Sequence, residues 1–179
     1  MVIKPSQIPL PPNWSSSSNK ITFKDMDPTK DKVYNGCILE VRILDWAYLS
    51  ASIHTIIEDE NGDIRRFALF NWPLSGEQNA DMIKIIKTFC PNVKMLIVNP
   101  YHCMIDRGQN IIRVEGPDFI KFDTSKIDKL CHVCGKEAKI RPCSVCKMAF
   151  YCSKDCQKID WREFNHKSIC KHLKNFMQI

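Results

Sequence analysis

Eight potential metal ligands stand in one regular series near the end of the chain: Cys131-x2-Cys134, x8, Cys143-x2-Cys146, x5, Cys152-x3-Cys156, x9, His166-x3-Cys170. Seven of the ten cysteines lie in it; Cys37, Cys90 and Cys103 are scattered before it. A disulfide framework usually ties a whole small secreted domain, whereas clustered pairs in an intracellular chain read as metal ligands. Cys-x2-Cys is a knuckle whose tight turn aims two sulfurs at one ion. Cys152/Cys156 and His166/Cys170 are i,i+4 pairs, one above the other on a helix face. Eight such donors make two closed tetrahedral sites, the form of structural zinc. A catalytic zinc needs an open fourth position, and eight ligands for two ions leave none. The spacing permits either consecutive or interleaved sorting of the four pairs. His132 and His172 are expected to be exposed or packing residues, and Cys37, Cys90 and Cys103 to be buried small hydrophobes.

The finger's helices carry start signals. Ser153 is placed to cap the first, and Asp160 with Glu163 reads as a capping-box-like start for the second. Trp161, Phe164, Ile169 and Leu173 are expected to give it apolar cover. Residues 125–179 carry a formal charge of +7 against −1 for residues 1–124. Seven thiolates and two Zn²⁺ would bring the tail to about +4, so a mild basic face is ordinary solvated surface.

Upstream, 179 residues at 44% hydrophobic content suit one compact domain plus a small one. No apolar run reaches the roughly 18 residues a membrane helix needs, and prolines stand where a signal peptide would be apolar. The expectation is a soluble, intracellular protein, cytoplasmic or nuclear and not secreted. Residues 1–30, with Pro5, Pro9, Pro11, Pro12 and the run Ser15–Ser18, read as an extended Pro/Ser-rich arm. The arm is either a floppy tail, or a docked arm or ligand for a partner's aromatic groove with Trp14 as its anchor.

Residues 31–123 read as a small OB-like β-barrel. Val33–Leu44, Ala47–Glu58, Ile64–Phe70, Lys94–Asn99 and Ile111–Glu115 are strand-like, the last two joined by a turn near Gly108. Asn61-Gly62 predicts a type I′ hairpin. Gln78–Cys90 reads as a helix, with Met82, Ile83, Ile85, Ile86, Phe89 and Cys90 on one face and Pro91 after it. The order β-β-β-α-β-β is the one expected of an OB-type barrel. The fold class is therefore α+β, the barrel followed at residues 124–179 by a two-zinc, helix-containing finger.

The ligand series, with the phrase FYCSKDCQKIDWREFNHKSIC, resembles the MYND zinc finger. RING fingers place a histidine in mid-series, and HIT-type fingers have a shorter gap before the last histidine. The resemblance implies interleaving: Cys131, Cys134, Cys152 and Cys156 on one zinc, Cys143, Cys146, His166 and Cys170 on the other. It also implies binding of proline-containing peptides, often around Pro-x-Leu-x-Pro, with Ser144, Gln157 and Trp161 matching the peptide-binding surface. The segment Ile8-Pro9-Leu10-Pro11-Pro12 imperfectly resembles such a ligand. The stretch IIEDENGDIRRFALFNW, with MLIVNPY and IIRVEGP, looks like the β-rich module found ahead of tetratricopeptide, SET or MYND regions. With no room for a SET domain, methyltransferase activity is not carried over.

The leading reading is a non-catalytic protein-protein interaction adaptor or complex subunit whose finger takes proline-containing segments. The alternative is a nucleic-acid-binding barrel using Arg65, Arg66, Phe67, Phe70, Trp72, Tyr101 and His102, with the finger as support. No Ser-His-Asp arrangement, phosphate loop or paired-carboxylate motif is legible, so no enzyme is expected.

Overall fold

A computed structural model describes Pro9, Pro12, Trp14 and residues 18–105, 109–123, 125–126, 129–164 and 166–176. The remaining residues, among them most of the Ile8–Pro12 segment, the Ser15–Ser17 part of the serine run and the Gly108 turn, lie outside that description. By contact density the chain divides into two units. One holds Met1–Pro73 with Lys94–Phe122, and the other Leu74–Val93 with Asp123–Ile179.

The first unit is a sheet. Its strands are β1 (Asn19–Ile21), β2 (Lys32–Val33), β3 (Cys37–Ile43), β4 (Tyr48–Leu49), β5 (Ile53–Asp59), β6 (Ile64–Leu69), β7 (Lys94–Val98), β8 (Tyr101–Ile105), β9 (Gln109–Val114) and β10 (Ile120–Asp123). The main path runs β10-β7-β3-β5-β6-β9-β8-β2, with β1 added to β3 and β4 to β5. Among the described residues no pairing joins β10 to β2, so the eight-stranded path is open at its ends. The five strands expected of an OB-like barrel are neighbours in this path, as β7-β3-β5-β6-β9, without a closed barrel among the described residues. Order constrains which elements exist, but closure depends on non-local hydrogen bonds between the end strands. The expected helix is also no part of this unit, since residues 74–93 belong to the other.

Strand alternation sets the core. Leu39, Val41 and Ile43 of β3 and Ile53, Thr55 and Ile57 of β5 are buried, while the residues between them are half-exposed. Side chains alternate across a pleat, so one face of each strand is given to the interior. Phe23, Phe67, Leu69, Met95, Ile97 and Ile112 of the same unit are also fully buried.

The arm expected over residues 1–30 carries structure of its own. Asn19–Ile21 pairs in parallel with Cys37–Leu39, and Phe23 and Met26 are buried. Further out, the Trp14 indole donates to the Asp118 carbonyl at 3.1 Å, and the Lys121 ammonium sits 4.3 Å from the centre of its ring.

The β5–β6 hairpin differs in detail from the expected type I′ turn. Gly62 has φ 81°, but Asn61 is not left-handed. The Gly62 amide donates to the Asp59 carbonyl at 3.1 Å, so a four-residue loop ends in one left-handed glycine. The cause is Asp59. Its buried carboxylate accepts from the amides of Asn61 at 3.0 Å, Asp63 at 3.1 Å and Phe23 at 2.8 Å. One side chain therefore fixes the hairpin and ties the residues after β1 to it. Removing it strands buried amides, so Asp59→Ala should destabilise the protein by about 2–3 kcal/mol. Urea unfolding followed by tryptophan fluorescence measures this; an unshifted midpoint would contradict it.

Candidate metal centre

The second unit contains α1 (Gln78–Thr88), the short strands β11 (Arg141–Pro142) and β12 (Phe150–Tyr151), α2 (Lys154–Arg162) and α3 (His166–Phe176). The knuckle turns are built by backbone hydrogen bonds. The Gly135 amide donates to the Cys131 carbonyl at 2.9 Å, and the Lys147 amide to the Cys143 carbonyl at 3.1 Å. Gly135 and Lys147 close these turns with φ of 67° and 60°, a conformation that glycine takes without strain. Antiparallel pairing of Arg141 with Tyr151 and Pro142 with Phe150 carries the chain back from the second knuckle to Cys152. The Ser153 hydroxyl accepts from the Cys156 amide at 3.1 Å, capping α2 as expected.

The ligands gather into two groups, Cys131/Cys134/Cys152/Cys156 and Cys143/Cys146/His166/Cys170, each with donor atoms within 4.8 Å of one another. The ambiguity left by the spacing thus resolves to interleaving. The separations test the fit to zinc. Cys134 and Cys152 sulfurs are 3.6 Å apart, as are Cys152 and Cys156; those of Cys143 and Cys170 are 3.8 Å apart. Four sulfurs at about 2.3 Å from one zinc stand about 3.8 Å apart, whereas a disulfide needs about 2.05 Å. The Nε2 atom of His166 lies 3.7 Å from the Cys146 sulfur, against about 3.5 Å for a tetrahedral S–Zn–N edge. The donor sets therefore fit two Zn²⁺, one held by four thiolates and one by three thiolates and an imidazole.

Burial raises the Cys131 thiol's pKa, but amides of Cys134, Cys152 and Val133 pointing at its sulfur outweigh that and bring it to about 7. The neighbouring sulfurs push Cys152 up to about 12, while burial first and then its neighbours raise Cys170 to about 12. Bringing several thiolates together disfavours their joint ionisation until a divalent cation compensates them.

A buried relay stands behind the second site. The Tyr151 hydroxyl donates to Asp160 at 2.6 Å. Burial, followed by this bond, raises the tyrosine's pKa and keeps it a donor. The same carboxylate oxygen lies 3.8 Å from Nδ1 of His166, leaving Nε2 facing the sulfurs. At that distance the two groups are in charge contact rather than hydrogen-bonded. This corrects the sequence reading of Asp160 as a helix start: it lies inside α2, is 4% exposed and accepts from the Tyr151 hydroxyl. Its burial depends on Tyr151, nine positions away, which capping signals do not show. His132 is a packing residue as expected: it is buried, edge-on to Phe150, and burial lowers its pKa to about 4.

The finger's apolar cover also differs from expectation. Leu173 is buried, but Trp161 is 39% and Phe164 46% exposed. Cover comes from α1, which packs against α3 and buries Ile85, Ile86, Phe89 and Cys90. Asn92, left-handed at φ 70°, donates its side-chain amide to the Cys131 carbonyl at 2.7 Å. Its signal in the sequence, an Asn just beyond a helix end, is weak. Of the expected peptide-binding residues, Ser144 and Trp161 are exposed and Gln157 half-exposed, with Gln157 and Trp161 one turn apart on α2. Among the residues proposed for nucleic acid, Phe67, Tyr101 and His102 are buried in the sheet unit and unavailable for stacking.

Comparison with known proteins agrees with this geometry. Residues 131–170 match the family model described as MYND finger. SET domain and MYND-type zinc finger protein 6 of Schizosaccharomyces pombe is 40% identical over 67 residues, 37% of this chain and 13% of that protein. Histone-lysine N-methyltransferase Smyd1 of Mus musculus is 39% identical over 61 residues, 34% of this chain and 12% of that one. Programmed cell death protein 2 of Mus musculus is 54% identical over 41 residues, 23% of this chain and 11% of that one. The chain thus spans only about an eighth of the length of these relatives.

Zinc binding must displace thiol protons, so affinity falls as pH drops. Chelator competition at pH 7.5 and pH 6 should show two zinc ions per chain held more weakly at the lower pH; equal affinity would contradict thiolate ligation. Asp160→Asn should weaken one of the two zinc sites by about 10- to 100-fold. The same competition assay reads this, and unchanged affinity would remove Asp160 from the metal's support.

Proposed function

We propose that the MYND finger at residues 131–170 makes this chain a non-catalytic interaction adaptor or complex subunit. Its finger takes proline-containing peptide segments through Ser144, Gln157 and Trp161. The observation that carries the reading is the placement of α2. Cys152 and Cys156 tie the start of this helix to the first ligand group, and buried Asp160 anchors its far end. Gln157 and Trp161 lie one turn apart between and beyond these anchors. A rigid helix presenting an aromatic side chain is what recognition of a proline-rich segment needs, since prolines dock on aromatic surfaces in an extended, low-entropy form.

The exposed apolar side chains support the same surface. Trp161 keeps 39% of its surface in solvent although its ring edge meets His166, with centroids 5.9 Å apart. Val145 is 45% exposed. Val145 stands inside the Cys143–Cys146 knuckle, beside Ser144, so the second ligand group fixes that position too. Apolar side chains held outward by the metal ligands are placed for a partner rather than for the core. In this reading the finger recognises a partner rather than turning over a substrate, and the sheet unit is a scaffold or second contact. The family's SET chemistry belongs to parts of its relatives that this chain does not cover.

Trp161→Ala in the full chain should reduce affinity for a Pro-x-Leu-x-Pro peptide by at least about 10-fold, the loss expected of a central aromatic anchor. Zinc content should stay at two. Fluorescence anisotropy with a labelled peptide, alongside metal analysis, makes the comparison; unchanged affinity with intact zinc would contradict the assignment.

A further inference from the structure

The two ligand groups differ in what surrounds them. In the second, Cys143, Cys146, His166 and Cys170 are all buried, none more than 1% exposed, and the Tyr151–Asp160 pair stands behind the histidine. In the first, only Cys131 is buried; Cys134 is exposed and Cys152 and Cys156 half-exposed. All four ligands of that group are sulfur, and the Cys134 and Cys152 sulfurs stand 3.6 Å apart. We infer that the first group is an oxidation site for hydroperoxides, at which Cys134 and Cys152 form a reversible disulfide and release one zinc, while the second group keeps its ion.

The chemistry balances on the residues present. The Cys134 thiolate attacks one oxygen of the hydroperoxide; the O–O bond breaks and hydroxide, or alkoxide, leaves. The Cys134 sulfenic acid is attacked by the Cys152 thiolate, an S–S bond forms and a second hydroxide leaves. Two protons from solvent convert the leaving groups to neutral products, and the two electrons come from the two sulfurs. The sulfurs close from 3.6 Å to about 2.05 Å, a movement that the exposed edge of the Cys134 knuckle can make. The zinc, left with two thiolates, passes to water. At the second group the same attack would need peroxide to enter a buried cluster, so accessibility protects it.

The consequence falls on α2. Cys152 and Cys156 bracket its first turn, with Ser153 as its cap, so loss of the first ion loosens the helix at the end carrying Gln157. The asymmetry of the zinc sites stands independently of ligand binding, whereas an effect on peptide affinity rests on the function proposed above. Zinc release and peptide binding are therefore read separately.

The test uses the full chain loaded with two zinc ions and treated with hydrogen peroxide. Native mass spectrometry follows zinc per chain, and peptide mapping locates the disulfide. The expected result is a one-zinc species that accumulates at least about 10-fold faster than the zinc-free one, carries a Cys134–Cys152 disulfide, and recovers with thiol reductant and zinc. Cys134→His keeps four ligands while removing the exposed thiol, and should slow release of the first zinc by at least about 10-fold. Simultaneous loss of both ions, first oxidation in the buried group, or unchanged release in Cys134→His would each overturn the inference. Peptide affinity of the one-zinc species is then measured; if it is unaltered while release is as expected, the redox site stands and its coupling to the peptide-binding face fails.

Discussion

The geometry of the second unit depends on tetrahedral ligation by interleaved pairs. A consecutive arrangement would close each site within one short stretch of chain. Here each site draws one pair from an early knuckle and one from a later element, so the two ions cross-link the whole finger. The first ties Cys131 and Cys134 to the start of α2; the second ties Cys143 and Cys146 to α3. A segment of this size buries too little apolar surface to hold a fixed shape unaided, and metal binding supplies folding free energy directly. The orientation of α2, and with it that of Gln157 and Trp161, is set by these bonds.

Around that frame the protein adds ordinary packing. Tyr151 and Asp160 connect strand β12, helix α2 and His166 in one buried chain of contacts. Helix α1 and Asn92, which precede the finger by some forty residues, supply an apolar layer and a hydrogen bond to the first knuckle. The finger as a folding unit is thus larger than the 40 residues that match its family model. Between α1 and the finger, residues 94–122 return to the sheet unit, whose core is built on the buried faces of β3 and β5.

Legibility followed the range of the interaction that decides each feature. The ligand series and the Ser153 cap are fixed within a few residues, and their geometry follows from spacing. The strands β5 and β6 were readable because alternation in Ile53–Asp59 survives in the fold. By contrast, β8 was hidden: Tyr101, His102 and Cys103 are buried consecutively, so no alternation marks them. The apolar face of α1 showed that this helix packs, but not against what, and its place after three strands suggested a barrel element. Asp160 carried a misleading local signal, because Glu163 three positions on mimics a capping box while Tyr151 determines its role. Non-local pairing likewise decides that the sheet stays open, and nothing in the order of elements reports it.

In the function proposed above, a zinc-braced α2 presents a peptide-binding face. Its most direct test is chemical-shift mapping by NMR of the zinc-loaded full chain during titration with an unlabelled Pro-x-Leu-x-Pro peptide. The account predicts saturable shifts at the Trp161 indole, the Gln157 side-chain amide and the Ser144 backbone amide, with the β3, β5 and β6 amides unmoved. Saturable shifts confined to the sheet unit, or none at all at millimolar peptide, would contradict it.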